Sequence, residues 1–432
     1  MIHLYSLSLF SAILLTLPYW IWRYFTTPKY RGTVLERFGL GVKQRDATPR
    51  IWIHAVSVGE TLAAQGLVGA LRQKNPDFEL VLSTVTKTGR QMAREKLTGV
   101  AYIFHLPVDL PWVTRRVMER IRPTMMIIME TELWPSLFAS AAERQVPVVI
   151  VNGRISPGSF KNYKKARFFM RRLLAPVRLF VMQSAMDAQR IETIGATKGR
   201  IRVSGNIKYD QALIRPSAAA MAEMEQKIGR TRDPVMLAAS THPGEEETIL
   251  RVYRRLRENH PQLRLIVVPR HPERAGQVTT LIKNHGWDVQ PISQSHGLWE
   301  NKVLLVDQVG WLTRIYGISR LVYMGGSLVA HGGQNMLEAA AWELPTAFGP
   351  HTFNFKDVSR LLLEAEAAFL VQNEEDLFQA FARLLAEPDT LKNMGQAARQ
   401  VVETNAGALS RTMQEIHAIL EEQGYAPTAP PA

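Results

Sequence analysis

The sequence predicts an α/β protein of two doubly wound, parallel-sheet domains behind an N-terminal apolar helix. Three observations carry that prediction. From residue 50 onward, short β-branched and apolar runs alternate with helical stretches, the rhythm of βα units building a parallel sheet. The rhythm lapses between Tyr209 and Asp233, where "RPSAAAMAEMEQKIGRTRDP" offers few β-formers, and then resumes. Ahead of both series lies an uncharged run from Leu4 to Trp22. With 432 residues, 46% of them hydrophobic, the chain has the length and apolar content for two such cores.

Residues 1–24 are expected to form a membrane anchor. "LYSLSLFSAILLTLPYWIW" has the length a helix needs to cross a bilayer core, and Tyr19, Trp20 and Trp22 suit an interfacial aromatic belt. Arg23, Lys29, Arg31, Arg37, Lys43 and Arg45 follow, which by the positive-inside rule leaves the rest of the chain cytoplasmic. No positive segment precedes the run and no A-x-A-like site follows it, so a cleaved signal peptide is not expected. A buried core helix is the competing reading.

Residues 25–210 form the first α/β domain, with strands expected at Arg50–Ala55, Phe78–Thr84, Ala101–Phe104, Thr124–Met129, Val146–Val151, Leu179–Gln183 and Arg200–Val203. Helices fall between them at Thr61–Arg72, Lys87–Lys96, Pro111–Arg120 and Trp134–Arg144. Residues 211–233 read as a connector holding one helix. Residues 234–425 form the second domain, with strands at Val235–Ala239, Leu263–Val268, Val303–Val306, Leu321–Met324 and Thr346–Phe348 and a helical last stretch. The tail 426–432, "APTAPPA", reads as disordered. Ligands are expected in a crevice between the domains, outside the carboxyl ends of the strands.

Charge is divided unevenly. Residues 1–210 hold 31 Lys and Arg against 14 Asp and Glu, a net of +17; the remaining residues hold 21 against 25, a net of −4. The first half therefore meets something anionic: nucleic acid, an anionic membrane surface or a phosphorylated lipid. No nucleic-acid module is visible, so no nucleic-acid partner is expected. Cysteine is absent, which removes disulfides, thiolate catalysis and cysteine-bound zinc. No P-loop, H-E-x-x-H or G-x-G-x-x-G after a strand occurs, and no metal site is expected.

The candidate chemistry sits at strand ends. Glu60 closes "HAVSVGE", and Glu130 and Glu132 lie in "METELWP" after an apolar strand. A carboxylate on that edge can serve as a general base; as a first-turn acid, Glu60 is expected to have its pKa lowered by the helix dipole. Gly59 is expected to turn the chain sharply and leave open space beside the carboxylate. Lys208 in "SGNIKYD" can neutralise a phosphate or carboxylate. In the second domain Ser240 or Thr241 is expected to cap a helix, Arg270 can grip a phosphate in a bidentate manner and His271 stands beside it. "GGSLVAHGGQN" is a glycine-rich turn before a helix, suited to phosphate, and Glu338 one turn beyond Asn335 suits ribose hydroxyls. "KNYKKARFFMRRLL", Lys161–Leu174, reads as a membrane-surface helix or as a solvated basic face.

The order and spacing of these motifs resemble the Kdo transferases, the 3-deoxy-D-manno-octulosonic acid transferases of lipopolysaccharide assembly. The resemblance runs through nearly the whole chain, in "RFG", "HAVSVGE", "STVTKTG", "ETELWP", "NGRIS", "GNIKYD", "PRHPER", "GGSLVAHGGQNMLE" and "GPHTFNF". It implies a GT-B fold of two Rossmann-like domains, the first taking a lipid A precursor from the inner membrane and the second binding the donor CMP-Kdo. It implies inverting, metal-independent transfer without a cofactor. By motif match Glu60 would be the general base, supported by Glu130 and Lys208. Pro269, Arg270, His271, Val309, Gly310, Trp311, Asn335, Met336, Leu337 and Glu338 would hold CMP. "VGWLTRIYG" departs from the family pattern by placing Trp311 where an acid is common. The competing readings are another enzyme of this architecture, such as a UDP-sugar transferase or a non-hydrolysing epimerase, and a membrane-tethered nucleotide sensor or assembly scaffold.

Overall fold

The structure is a computed structural model that describes residues 2–26, 34–42, 48–297, 299 and 301–425. The expected disordered tail, 426–432, and Lys29, Arg31, Lys43 and Arg45 lie outside the described residues. The chain divides into two compact units: Met1–Gln211 with Ala406–Ala432, and Ala212–Asn405.

In unit 1 the strands are β1 (Arg50–His54), β2 (Glu79–Thr84), β3 (Tyr102–His105), β4 (Met125–Met129), β5 (Val148–Gly153), β6 (Val177–Met182) and β7 (Ile201–Val203). They pair in the order β3-β2-β1-β4-β5-β6-β7, every pair parallel. A parallel sheet is covered on both faces, so its strands read as continuous apolar runs rather than alternating ones. "MMIIM" of β4 and "VVIVNG" of β5 are buried at every position. Successive side chains still go to opposite faces. Trp52, Met126, Ile128 and Ile150 pack in one core with Phe104, Phe138 and Phe180; Ile51, Ile53, Met125 and Ile127 pack in the other with Leu67 and Leu71.

That second core is completed from far along the chain. Met413, Ile416, Ile419 and Leu420 of the helix Ala408–Glu422 pack into it. Asp210 holds the start of this helix, accepting from the N–H of Gly407 at 2.8 Å and of Leu409 at 3.3 Å. The second domain expected to run to residue 425 therefore ends at Asn405.

Unit 2 holds β8 (Val235–Thr241), β9 (Arg264–Pro269), β10 (Asp288–Pro291), β11 (Lys302–Leu305), β12 (Leu321–Met324), β13 (Thr346–Phe348) and β14 (Ala368–Leu370), in the order β10-β11-β9-β8-β12-β13-β14, again parallel. β10 and β14, the two edges, were not expected from the sequence; the connector holds the expected helix, Ala218–Ile228.

The N-terminal run is helical over Ile2–Thr26, but among the described residues no helix is long and apolar enough to cross a membrane. The spanning anchor is therefore not carried over. Ser, Thr and Pro18 dilute the helix's apolar content, and Tyr5 hydrogen-bonds the buried Asp109 carboxylate of unit 1. Phe10, Leu14, Leu15, Tyr19, Trp22 and Phe25 remain exposed along it. The basic stretch Lys161–Leu174 is not one helix either. It breaks at Ala166 into Pro157–Lys165 and Arg167–Leu174, and Met170, Leu173 and Leu174 turn into the core.

Candidate active site

In unit 1 the chain works outward from β1 to one edge of the sheet and from β4 to the other. The carboxyl ends of this neighbouring pair form the topological switch point, where open α/β sheets bind ligands. Glu60 follows β1, and Glu130 and Glu132 follow β4.

"SVGE" matches the S-x-x-E pattern of a capping box, with the acid reaching one residue past the cap to Val56. Ser57 caps the helix Val58–Lys74, its Oγ accepting the Glu60 N–H at 3.3 Å. Glu60 reaches back: Oε1 accepts from the Ser57 hydroxyl and Oε2 from the Val56 N–H, each at 2.8 Å. The carboxylate is fixed in place and only 7% exposed. Burial pushes its pKa up to about 7, against the pull of the Val56 and Ser57 bonds, and Glu130 and Glu132 add to the rise. The depressed pKa expected for a first-turn acid is overturned, because desolvation outweighs the two bonds that favour the charged form. Gly59 is already helical, so it makes no sharp turn; a Cβ there would meet only Ser57 Oγ, at 3.9 Å, leaving open space beside Glu60.

Glu130 stands in the left-handed region, φ +57°, a conformation that side chains rarely adopt and that its surroundings must hold. Its N–H donates to Val151 O at 2.9 Å, Arg154 Nε donates to Oε2 at 2.9 Å, and Lys208 Nζ lies 3.7 Å from Oε1. Burial, then Glu130, raises the pKa of Glu132. The structure thus brings Glu60, Glu130, Glu132 and Lys208 to one edge. Two residues not singled out from the sequence help build it. Asn152, φ +54° at the end of β5, accepts the Ile207 N–H at 3.1 Å and so sets the turn carrying Lys208. Arg154 pairs with Glu130, and Thr131 clasps its backbone at both N–H and C=O. The polar "NGR" ending an otherwise apolar run was the available signal.

His54, at the end of β1, is a support. It is fully buried, hydrogen-bonds Ser83 Oγ at 2.9 Å through Nδ1, and burial pushes its pKa down to about 4, which keeps it neutral.

In unit 2 the corresponding switch point lies between β8 and β12. The expected cap from Ser240 or Thr241 is absent: the helix Glu245–Asn259 starts at Gly244, φ +95°, with no side-chain cap. Instead Glu245, almost wholly buried, gathers five donors. Oε2 takes the N–H groups of His242 at 2.9 Å and Gly326 at 2.8 Å; Oε1 takes Tyr323 OH at 2.6 Å and the N–H groups of Ser327 and Leu328 at 3.1 Å each. Glu246 accepts from Thr241 Oγ1 at 3.0 Å and Arg274 Nη1 at 2.8 Å. Together they tie the loops after β8, β9 and β12. "GEEE" reads as a solvated helix start, which is why sequence reasoning passed over them.

The expected nucleotide residues all lie past carboxyl ends in this unit. Pro269 ends β9, buried, and Arg270 and His271 beyond it are exposed. Val309 is exposed and Gly310 has φ +93°, but Trp311 turns inward, 8% exposed, its Nε1 donating to Gln308 Oε1 at 3.3 Å. Asn335 Nδ2 donates to Glu338 Oε1 at 2.9 Å, and burial raises the Glu338 pKa. The side chains of Met336 and Leu337 are buried, leaving only their backbones for a ligand. Among the described residues no group of three or more acid or imidazole side chains is placed to hold a metal ion.

Two doubly wound parallel sheets in one chain, each with a topological switch point, give the chain a GT-B-like architecture. UDP-GlcNAc 2-epimerase from Neisseria meningitidis shares the fold, with a TM-score of 0.59 over 85% of this chain and 98% of that one at 13% identity. A family profile described as "3-Deoxy-D-manno-octulosonic-acid transferase (kdotransferase)" matches residues 33–211. The 3-deoxy-D-manno-octulosonic acid transferase of Haemophilus influenzae is 36% identical over 404 residues, 91% of this chain and 93% of that protein. That of Bordetella pertussis is 33% identical over 379 residues, 85% and 86% of the two chains. The chain belongs to the Kdo transferase family and acts in lipopolysaccharide biosynthesis.

Proposed function

We propose that the protein transfers Kdo from CMP-Kdo to the bisphosphorylated lipid A precursor, lipid IVA, with inversion at the anomeric carbon and Glu60 as general base. The observation that carries this reading is the Glu60 carboxylate, buried, held by Val56 and Ser57 and poised at a pKa of about 7. A base is most useful when its pKa lies near the working pH. In the step proposed, the acceptor hydroxyl oxygen bonds to the anomeric carbon and its proton passes to Glu60. The bond from that carbon to the phosphate oxygen breaks, and CMP leaves with the electron pair. Lys208, with Glu130 beside it, offsets charge near the donor's anionic groups. Arg270, His271, the Val309–Trp311 turn and Asn335 to Glu338 hold CMP. Neither a metal ion nor a cofactor takes part in this reading.

The acceptor reading rests on unit 1's positive charge, which suits a phosphorylated glycolipid. We place the enzyme at the cytoplasmic face of the inner membrane, held as a monotopic protein by the exposed apolar residues of Ile2–Thr26 and the basic surface of unit 1.

The test is incubation of detergent-solubilised protein with CMP-Kdo and lipid IVA in EDTA. CMP release and a Kdo-bearing lipid are expected. No transfer by folded protein sinks the reading, and stronger thermal stabilisation by UDP than by CMP favours a UDP-sugar enzyme instead.

A further inference from the structure

Unit 2 gathers two further imidazoles and a guanidinium around a buried histidine whose role the residues above leave open. His242 sits at the carboxyl end of β8, 7% exposed. The His331 ring stacks on it, centroids 4.2 Å apart and planes 15° apart. The His271 ring stands edge-on at 6.0 Å. Gln334 Nε2 lies 3.3 Å from His242 Nε2, so as assigned the amide donates to that nitrogen. Gly326 lets backbone approach the same ring: a Cβ there would stand 3.2 Å from Cδ2 and 3.3 Å from Nε2. Arg270 adjoins His271, exposed. The acid facing His242 is Glu245, whose two oxygens are already taken by five N–H and O–H donors. Groups able to carry like charge, gathered without a free carboxylate among them, favour an anion in their midst.

We propose that His242, His271 and His331, with Arg270, form an anion site that receives the negatively charged part of the donor and takes up a proton in doing so. This rests on reading unit 2 as the donor-binding unit. The ligand chemistry is a phosphate or carboxylate oxygen, supplied by the nucleotide or by the sugar acid. Burial, then His331, lowers the His242 pKa; His271 and Arg270 add to the lowering and Glu245 opposes it. The free imidazole is therefore neutral at pH 7, and an anion against it raises its proton affinity. A group that gains a proton on binding makes binding tighter as pH falls.

The experiment is isothermal titration of the full-length protein with CMP and, separately, with free Kdo, at pH 6.5 and 8.0, in buffers of different ionisation enthalpy. Wild type is expected to take up a fraction of a proton and to bind at least about threefold more tightly at pH 6.5. Uptake with CMP assigns the site to phosphate; uptake with Kdo assigns it to the carboxylate. H242N is expected to abolish uptake and weaken binding. H331Q, at an exposed position, gives the same readout with less risk to folding. The titration of CMP's own phosphate is common to all forms and cancels in the comparison. Equal uptake in wild type and both variants, or no pH dependence with either ligand, overturns the site. CMP binding without proton uptake defeats this proposal and leaves the donor reading standing; no CMP binding at all defeats both.

Discussion

The Glu60 carboxylate accepts from Val56 and Ser57 at the helix start, and its pKa of about 7 suits the proton abstraction proposed for it. E60A is expected to lose roughly 10²–10⁴-fold in turnover, measured as CMP release, while its circular dichroism stays native. Native activity in E60A would remove the residue from the chemistry. In wild type, kcat/KM should rise with pH through an apparent pKa near 7, and E60Q should lose that limb along with its rate. The stability consequence has the opposite sign. A carboxyl with a raised folded-state pKa stabilises below its unfolded value of 4.5 and loses that contribution as pH rises through about 7. Thermal melts of wild type should therefore fall between pH 5 and 8 more steeply than those of E60Q, whose amide can donate to Ser57 Oγ. Parallel pH curves for the two would show that the carboxyl is not shifted. At this scale the sequence revealed Glu60 but not its ionisation, because that depends on burial in the folded unit and on the charges of Glu130 and Glu132, which follow another strand.

Loops at the second switch point depend on Glu245. E245A strands five donors, four of them buried, a loss of about 3–5 kcal/mol by analogy with breaking a buried charge. E245Q is barely milder, since its amide NH2 must face N–H groups on whichever side it lies. Both should show a lowered melting temperature and weaker CMP binding, with donor KM rising more than kcat falls; unchanged donor KM in a folded variant would show that the tie does not shape the donor site. Gly325 is equally constrained: a Cβ there would stand 2.4 Å from Ser240 O, so G325A must part the loops after β8 and β12. Strands were legible where both faces are covered, because "MMIIM" and "VVIVNG" leave no polar alternation. "DVQP" and "AFL" were not, being short edge strands with at least one exposed residue each. A helix start was not legible where the oxygen that holds it comes from elsewhere in the sequence: Asp109 holds the start of the helix Pro135–Glu143 through the N–H groups of Ser136 and Leu137. The break at Ala166 in the basic stretch was equally invisible, since helix formers stand on both sides of it.

At the scale of the whole chain, the layout of two sheets was legible and the ownership of the last helix was not. An amphipathic helix advertises an apolar face without saying which sheet will cover it. Ala408–Glu422 returns to unit 1 and holds it through bonds that span long stretches: Asp210 to Gly407, Arg178 Nη2 to Glu422 at 2.5 Å, and His417 Nε2 to Asn75 Oδ1 at 3.0 Å. Deleting residues 406–432 should uncover Leu67 and Leu71 and lower the stability of unit 1, read as aggregation on heating and as new binding of a hydrophobic dye. A soluble, fully active truncation would contradict the placement of this helix.

The same placement orders events during synthesis. Unit 1 is begun first and completed last: its final helix leaves the ribosome only after all of Ala212–Asn405 has been made. At about 5–20 residues per second, that interval is on the order of ten to forty seconds. Throughout it the helix Val58–Lys74, which carries Glu60, waits with its Leu67 and Leu71 face uncovered, and only at its end is the sequence of unit 2 complete. Unit 2 can therefore close its core before the unit that carries Glu60 can close its own.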